Sequence, residues 1–213
     1  MSSWTLPHEG DPGEHWFKGQ NDGPQIEHLD AAMKLVRDKR RAVDGGAHVG
    51  TWTVRMANWF EDIIAFEPAP MTYLALLENL YKRGLLTGKR VKVWPVALGD
   101  GLRYVRIMIP GKASMSAHCA PVGPVPMLPL DALNLDHLGF LKLDLEGCEG
   151  LAIKGAQATL RRCRPVLLIE WKPEHMVRAG CDPEETEALL KGLGYRLHEM
   201  VGQDRIMVPE EWA

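Results

Sequence analysis

The chain has 213 residues, enough for one domain with a sizeable core and too few for two full ones. Hydrophobic residues make up 46% and charged residues 25%, a globular balance that argues against a disordered or membrane-embedded chain. A net charge of -3, from 25 Lys and Arg against 28 Asp and Glu, gives no global positive field to draw in a nucleic acid.

Residues 1–24 read as an N-terminal arm, and residues 25–213 as a single domain. The arm is rich in Gly, Pro, Asp and His, and Trp4, Trp16 and Phe17 imply that it docks on the domain rather than trailing from it. Met1 to Gly23 lacks an apolar stretch of signal-peptide length, and no run of about 18 apolar residues occurs anywhere. The four cysteines, Cys119, Cys148, Cys163 and Cys181, are scattered without zinc-ligand spacing. A cytoplasmic chain with reduced thiols and no membrane partner is expected.

Ile26, Leu29, Ala32, Met33 and Val36 recur at helical spacing, which predicts an amphipathic helix over residues 25–39. The basic run Arg37-Asp38-Lys39-Arg40-Arg41 falls at its end, where cations meet the helix dipole, and is read as that rather than as a nucleic-acid patch. Strands and helices then alternate. Arg41–Asp44 is a strand, followed by a glycine-rich turn and a helix over Thr51–Phe60. Asp62–Phe66 is a strand, Pro70–Arg83 a helix and Arg90–Leu98 a third strand. Leu102–Ile109 alternates like an extra strand, and Pro110–Pro129 reads as a long loop of the kind that often carries function.

Phe140–Leu143 is a buried strand, Glu149–Arg162 a helix and Pro165–Ile169 another strand. Asp182-Pro183-Glu184-Glu185 starts a helix with a cap and a first-turn proline, and Gly194 can end it. Tyr195–Met200 and Arg205–Val208, joined through Gly202-Gln203-Asp204, predict a C-terminal antiparallel hairpin. Strands separated by helices imply a mostly parallel sheet with helices on both faces, so residues 25–213 read as a single Rossmann-like α/β domain.

Ligands of such sheets bind at the carboxyl ends of the strands. The first strand ends in Asp44-Gly45-Gly46-Ala47-His48-Val49-Gly50. A dinucleotide would call for G-x-G-x-x-G, but Ala47 stands at the middle glycine, and Asp44 would repel a pyrophosphate. S-adenosylmethionine carries an ammonium and a sulfonium and no phosphate, so a carboxylate at the strand tip suits it. Glu67, 23 residues after Asp44, ends the next strand where an acid can accept both ribose hydroxyls, and Pro68 breaks the strand behind it. Val96-Ala97-Leu98-Gly99-Asp100 is placed to bracket an adenine ring. The candidate cofactor residues are therefore Asp44, Gly45, Gly46, Ala47, Gly50, Thr51, Glu67, Pro68, Ala97, Leu98 and Asp144.

Together with Phe140-Leu141-Lys142-Leu143-Asp144-Leu145-Glu146-Gly147-Cys148-Glu149, Leu130-Asp131-Ala132-Leu133 and Arg164-Pro165-Val166-Leu167-Leu168-Ile169-Glu170, these segments make the chain resemble the FkbM family of S-adenosylmethionine-dependent methyltransferases. The resemblance spans roughly Val43 to Trp171. It implies a class I methyltransferase fold and O-methylation of a hydroxyl on a small molecule, often a sugar or natural product. The chain departs from the family in its brief N-terminal region and in the proline-rich Pro121–Pro129 stretch.

Asp144 and Glu170 end neighbouring strands, so both carboxylates are expected at the methyl group. One reading makes them ligands of Mg2+, which would favour the acceptor alkoxide; the other makes Asp144 a general base. His118 and His175 are reserve bases, His48 faces the same crevice, and Trp171 is either pocket wall or core. Asn79 reads as a packing or capping residue. No Asn/Asp-Pro-Pro-Tyr/Phe motif follows the Asp144 strand, which argues against methylation of base amino groups. A nucleic-acid or peptide acceptor, or a binding module without turnover, are the alternatives; the oligomeric state stays open.

Overall fold

A computed structural model of the chain describes residues 4–11, 14, 25–88, 90–111 and 113–212. Trp16 and Phe17 lie outside these. Seven strands form the central sheet: β1 (Arg41–Gly45), β2 (Asp62–Phe66), β3 (Val91–Trp94), β8 (Phe140–Leu143), β9 (Val166–Glu170), β10 (Tyr195–Val201) and β11 (Asp204–Pro209). Their spatial order is β10-β11-β9-β8-β1-β2-β3, with parallel pairing from β9 through β3 and antiparallel pairing of β11 to β9 and β10. The expected hairpin thus joins the sheet through its second strand.

Alternation along each strand sorts the core into two layers, because successive side chains leave a strand on opposite faces. Val43, Ile64, Phe66, Leu141, Leu143, Leu167 and Ile169 pack with Ala152 and Ile153 of α4 (Glu149–Lys154), Leu160 of α5 (Gln157–Cys163) and Leu190 of α7 (Pro183–Gly192). Ala42, Ile63, Ala65, Phe140, Val166 and Leu168 pack on the other face with Leu29 of α1 (Ile26–Met33), Met56 of α2 (Thr51–Met56), and Leu76 and Leu80 of α3 (Pro70–Lys82). Helices therefore cover both faces, as the alternation of strands and helices implied. Asp182 caps α7 through Glu184 N at 2.8 Å, and Gly194, at φ +75°, follows its end.

Several boundaries differ from expectation for physical reasons. The third strand divides at Pro95, which can donate no ladder hydrogen bond, into β3 and β4 (Ala97–Leu98). The stretch read as a long loop contains β6 (His118–Pro121) and β7 (Val125–Leu128), which with β4 and β5 (Arg103–Met108) form a second, four-stranded sheet. The helix expected over Glu149–Arg162 breaks at Gly155, where a side chain would meet Gly99 O at 1.9 Å. A helix absent from the sequence reading, α6 (Pro173–Arg178), follows β9. Because α1 stops at Met33, the basic run lies beyond it rather than on its dipole, and two of its three arginines pair with acids, Arg40 with Asp38 at 2.7 Å and Arg41 with Asp62 at 2.6 Å.

The described part of the arm does lie against the domain. Thr5 N donates to Asn79 Oδ1 at 2.8 Å, Asn79 Nδ2 returns a bond to Thr5 O at 2.9 Å, and the Arg83 guanidinium stacks 3.9 Å from the Trp4 ring centroid. Asn79 also donates to Val49 O at 3.0 Å, so the buried amide that read as packing ties arm, helix and glycine turn together.

Candidate functional site

The strand order reverses between β1 and β8, and the crevice opens there, beyond the carboxyl ends of the strands. It is a cavity of about 390 Å³, within the usual range for a small-molecule site. Of the residues expected to hold a cofactor, Gly46, Ala47, Thr51, Glu67, Pro68, Ala97, Leu98 and Asp144 line it. Asp44, Gly45 and Gly50 do not.

Asp44 is the instructive correction. It pairs with Lys142 in register on the adjacent parallel strand, so the two side chains leave the sheet on the same face. Asp44 is fully buried, accepts from Thr53 Oγ1 at 2.6 Å and faces Lys142 Nζ at 3.2 Å. Its charge is matched inside the protein instead of waiting for a sulfonium. Burial alone would lower Lys142, but the charges of Asp44 and Asp144 outweigh it and hold the ammonium above its ordinary value. Lys142 Nζ also donates to Gly46 O at 2.7 Å and so fixes the glycine turn. Lys142 stands out in sequence as a lysine in an otherwise apolar strand, but its pairing with Asp44 is set by register between strands.

Glu67 stands where expected. Its Oε2 accepts from His48 N and its Oε1 from Ala69 N, each at 2.9 Å, so the carboxylate bridges the turns after β1 and β2. Each oxygen keeps a further lone pair for a ligand hydroxyl. Burial pushes Glu67 up to about 7 against the lowering effect of those two bonds. Gly46, at φ +73°, is confined by the loop after β8: a Cβ there would stand 1.9 Å from Asp144 O. Gly50 turns its missing side chain toward Leu76 of α3, so it serves packing. Phe66, Val96 and Leu98 supply an apolar wall beside Glu67. Buried carboxylate, apolar wall and a turn without dinucleotide spacing fit an adenosine whose ribose is held by its hydroxyls.

The other side of the cavity carries three carboxylates, Asp144, Glu146 and Glu170, with Lys172 among them. Asp144 is the most exposed, with 38% of its side chain accessible. Burial, then the charge of Asp144, pushes Glu146 up to about 7; burial, then Asp144 and Glu146, pushes Glu170 up to about 9. Glu146 sits at φ +52°, and its loop is held by Glu149, whose Oε1 accepts from Leu145 N at 2.6 Å and Gly147 N at 3.3 Å.

The histidines divide differently from expectation. His118 lies outside the cavity wall, with Nδ1 3.2 Å from Ser116 O. His48 is in the wall, its Nε2 2.8 Å from Ser114 Oγ, which donates to Asp11 Oδ2 at 2.6 Å. Burial lowers His48 to about 4, so it is a neutral group at physiological pH. Trp171 belongs to the core, with Arg205 stacked 3.8 Å from its ring centroid. Asp144 and Glu170 both reach the cavity, but the described His, Cys, Asp and Glu side chains that converge closely enough to hold a metal ion are Glu146, Glu170 and His175, without Asp144.

A family model described as the methyltransferase FkbM domain matches residues 44–197. The chain belongs to the FkbM methyltransferase family. Among solved structures, an FkbM methyltransferase from Methylobacillus flagellatus KT is similar, with 23% identity and a TM-score of 0.54 over 82% of this chain and 44% of that one. An S-adenosylmethionine-dependent methyltransferase from Aquifex aeolicus aligns at 15% identity and TM-score 0.50 over 88% of this chain and 94% of that one. A ribosomal protein L11 methylase from Lactobacillus delbrueckii subsp. bulgaricus aligns at 8% identity and TM-score 0.51 over 85% of this chain and 75% of that one. At these identities the likeness is one of fold, the class I fold of S-adenosylmethionine-dependent methyltransferases. A search of curated proteins found no match. No helix among the described residues is long and apolar enough to cross a membrane.

The Leu130-Asp131 segment has a structural role in capping a helix. Helix α5 has Ala156 at its N-cap, which has no side-chain oxygen to offer. Asp131 supplies it from 27 residues away, accepting from Ala158 N at 2.9 Å and Thr159 N at 2.7 Å.

Proposed function

We propose that this FkbM-family chain is a cytoplasmic O-methyltransferase acting on a hydroxyl of a small molecule, a sugar or natural product. The observation that carries the reading is that Asp144 and Glu146, in the loop after β8, and Glu170, at the tip of β9, line the same cavity as Glu67. An alcohol needs its proton removed as it attacks, and carboxylates at the reacting end supply that.

Bound S-adenosylmethionine provides an electrophilic methyl whose C–S electrons return to sulfur as the acceptor's C–O bond forms. Glu67 receives the ribose hydroxyls, and the wall of Phe66, Val96 and Leu98 takes the adenine. Asp144, accessible in the cavity, accepts the acceptor's hydroxyl proton. Lys142 Nζ stands 3.7 Å from Asp144 Oδ2, beside the group that takes the proton. The Asp144 and Glu170 pair read as magnesium ligands is replaced by the base role for Asp144, since the converging donor set leaves that residue out.

The test is formation of S-adenosylhomocysteine with a panel of hydroxylated acceptors. Asp144→Asn should lower kcat by about 10²-fold or more, with affinity for S-adenosylhomocysteine within about threefold of the parent. Turnover only with oligonucleotides or peptides, or no turnover despite cofactor binding, would overturn the reading.

A further inference from the structure

We propose that Glu146, Glu170 and His175 form a binding site for one divalent transition-metal ion, of the Mn2+ or Zn2+ kind, at the edge of the cavity. One ligand atom from each residue lies within 4.8 Å of the others. Donors about 2.0–2.2 Å from a common cation stand roughly 3–4.3 Å apart, so small side-chain rotations close the set. The three come from separate elements: the loop after β8, the tip of β9 and helix α6.

The donor atoms are otherwise unspent. Glu146 Oε2, Glu170 Oε2 and His175 Nδ1 are each shielded from solvent and make no hydrogen bond. His175 Nδ1 is 3.0 Å from Glu146 Oε2, close enough to bond but not so directed. Lys172 takes only the other oxygen of Glu170, Oε1, at 2.6 Å, and leaves Oε2 facing the cluster. Buried polar atoms without partners are costly, and a cation satisfies all three at once.

The backbone is shaped to bring them together. Gly147, at φ +109°, allows α6 to approach so closely that a Cβ there would meet His175 O at 2.3 Å. Beside it Glu146 holds a left-handed conformation uncommon outside glycine, φ +52°, which the Glu149 carboxylate secures by accepting from residues 145 and 147. An imidazole with two carboxylates suits Mn2+, Zn2+ or Fe2+ better than Mg2+, which favours oxygen donors alone. Glu146 and Glu170 also line the cavity. If the methyltransferase reading holds, the ion stands where it can bind an acceptor oxygen; this consequence rests on that reading, and the site itself does not.

The experiment titrates the full chain, stripped with chelator and dialysed, with Mn2+ followed by electron paramagnetic resonance and with Zn2+ followed by calorimetry. S-adenosylhomocysteine is titrated separately. One ion per chain is expected, weakened by at least about tenfold in His175→Gln and in the near-isosteric Glu170→Gln, with Mg2+ competing only in large excess. His175→Gln should keep the parent's affinity for S-adenosylhomocysteine. Failure of Mn2+ and Zn2+ to bind stoichiometrically to chain that melts cooperatively overturns the site, as does binding unchanged in both variants. Metal binding without S-adenosylhomocysteine binding supports the site and removes the cofactor reading instead.

Discussion

The two sides of the cavity use their acids in opposite ways. Around the turns after β1 and β2, Asp44 is bound by Thr53 and Lys142, and Glu67 spans two backbone N–H groups. Beyond β8 and β9, Glu170 Oε2 makes no hydrogen bond and Glu146 Oε2 faces the His175 imidazole, whereas Asp44 Oδ1, also without a directed hydrogen bond, faces the Lys142 ammonium at 3.2 Å. The first side is a scaffold, assembled before any ligand arrives, and it offers a ligand only spare lone pairs. The second is left incomplete, and under the proposed function it is the place where charge changes during reaction.

The largest test of this contrast removes the cation from the scaffold. Lys142→Met leaves Asp44 buried with its charge unmatched, and loss of one partner of a buried pair costs about 3–5 kcal/mol. Chemical denaturation should record a loss of that order, partly restored when Asp44→Asn is added. A variant as stable as the parent would mean that Lys142 is not what holds the strand tips.

Lys142 also marks the limit of what the sequence discloses. Short continuous apolar runs set between helical segments identified the strands of the central sheet, because a strand buried on both faces keeps few polar positions. Glu67 could be placed from its distance to the glycine turn, since both ends of that interval sit on strand tips. Asp44 faces Lys142 and not the cavity because strand register decides whether an acid meets ligand or a neighbouring lysine, and register is not a local property. The second sheet was hidden by proline: Pro121, Pro124 and Pro126 lie in or between β6 and β7, and in sequence they signal loop. His175 joined Glu146 and Glu170 only through the close packing at Gly147, a contact 28 residues apart in the chain.

Glu67 tests the scaffold's offer to the ligand. Glu67→Ala should weaken S-adenosylhomocysteine by about 10–100-fold, the worth of hydrogen bonds to a charged group. The parent's affinity should also depend on pH. Ribose hydroxyls donate best to the ionised carboxylate, and Glu67 ionises near 7, so binding tightens as pH rises from 6 to 8. His48, lowered to about 4, adds no slope in that window. Calorimetry across this range should find the slope flattened in Glu67→Gln; a slope that persists would place its source elsewhere.

The smallest expected effect lies outside the cavity, and it separates scaffold from site most cleanly. Asp131 is not among the lining residues, yet it completes α5 by accepting from the second and third N–H groups of a helix whose own cap residue, Ala156, cannot. Such a cap is worth about 1 kcal/mol, and the favourable charge at the helix N-terminus adds a few tenths. Asp131→Ala should therefore lower the denaturation free energy by about that much, and Asp131→Asn by less, because an amide oxygen still accepts. Affinity for S-adenosylhomocysteine and for Mn2+ should stay at the parent's values in both. A loss of ligand binding without loss of stability would tie α5 to the cavity, and the division between a finished scaffold and an open reacting end would have to be redrawn to include it.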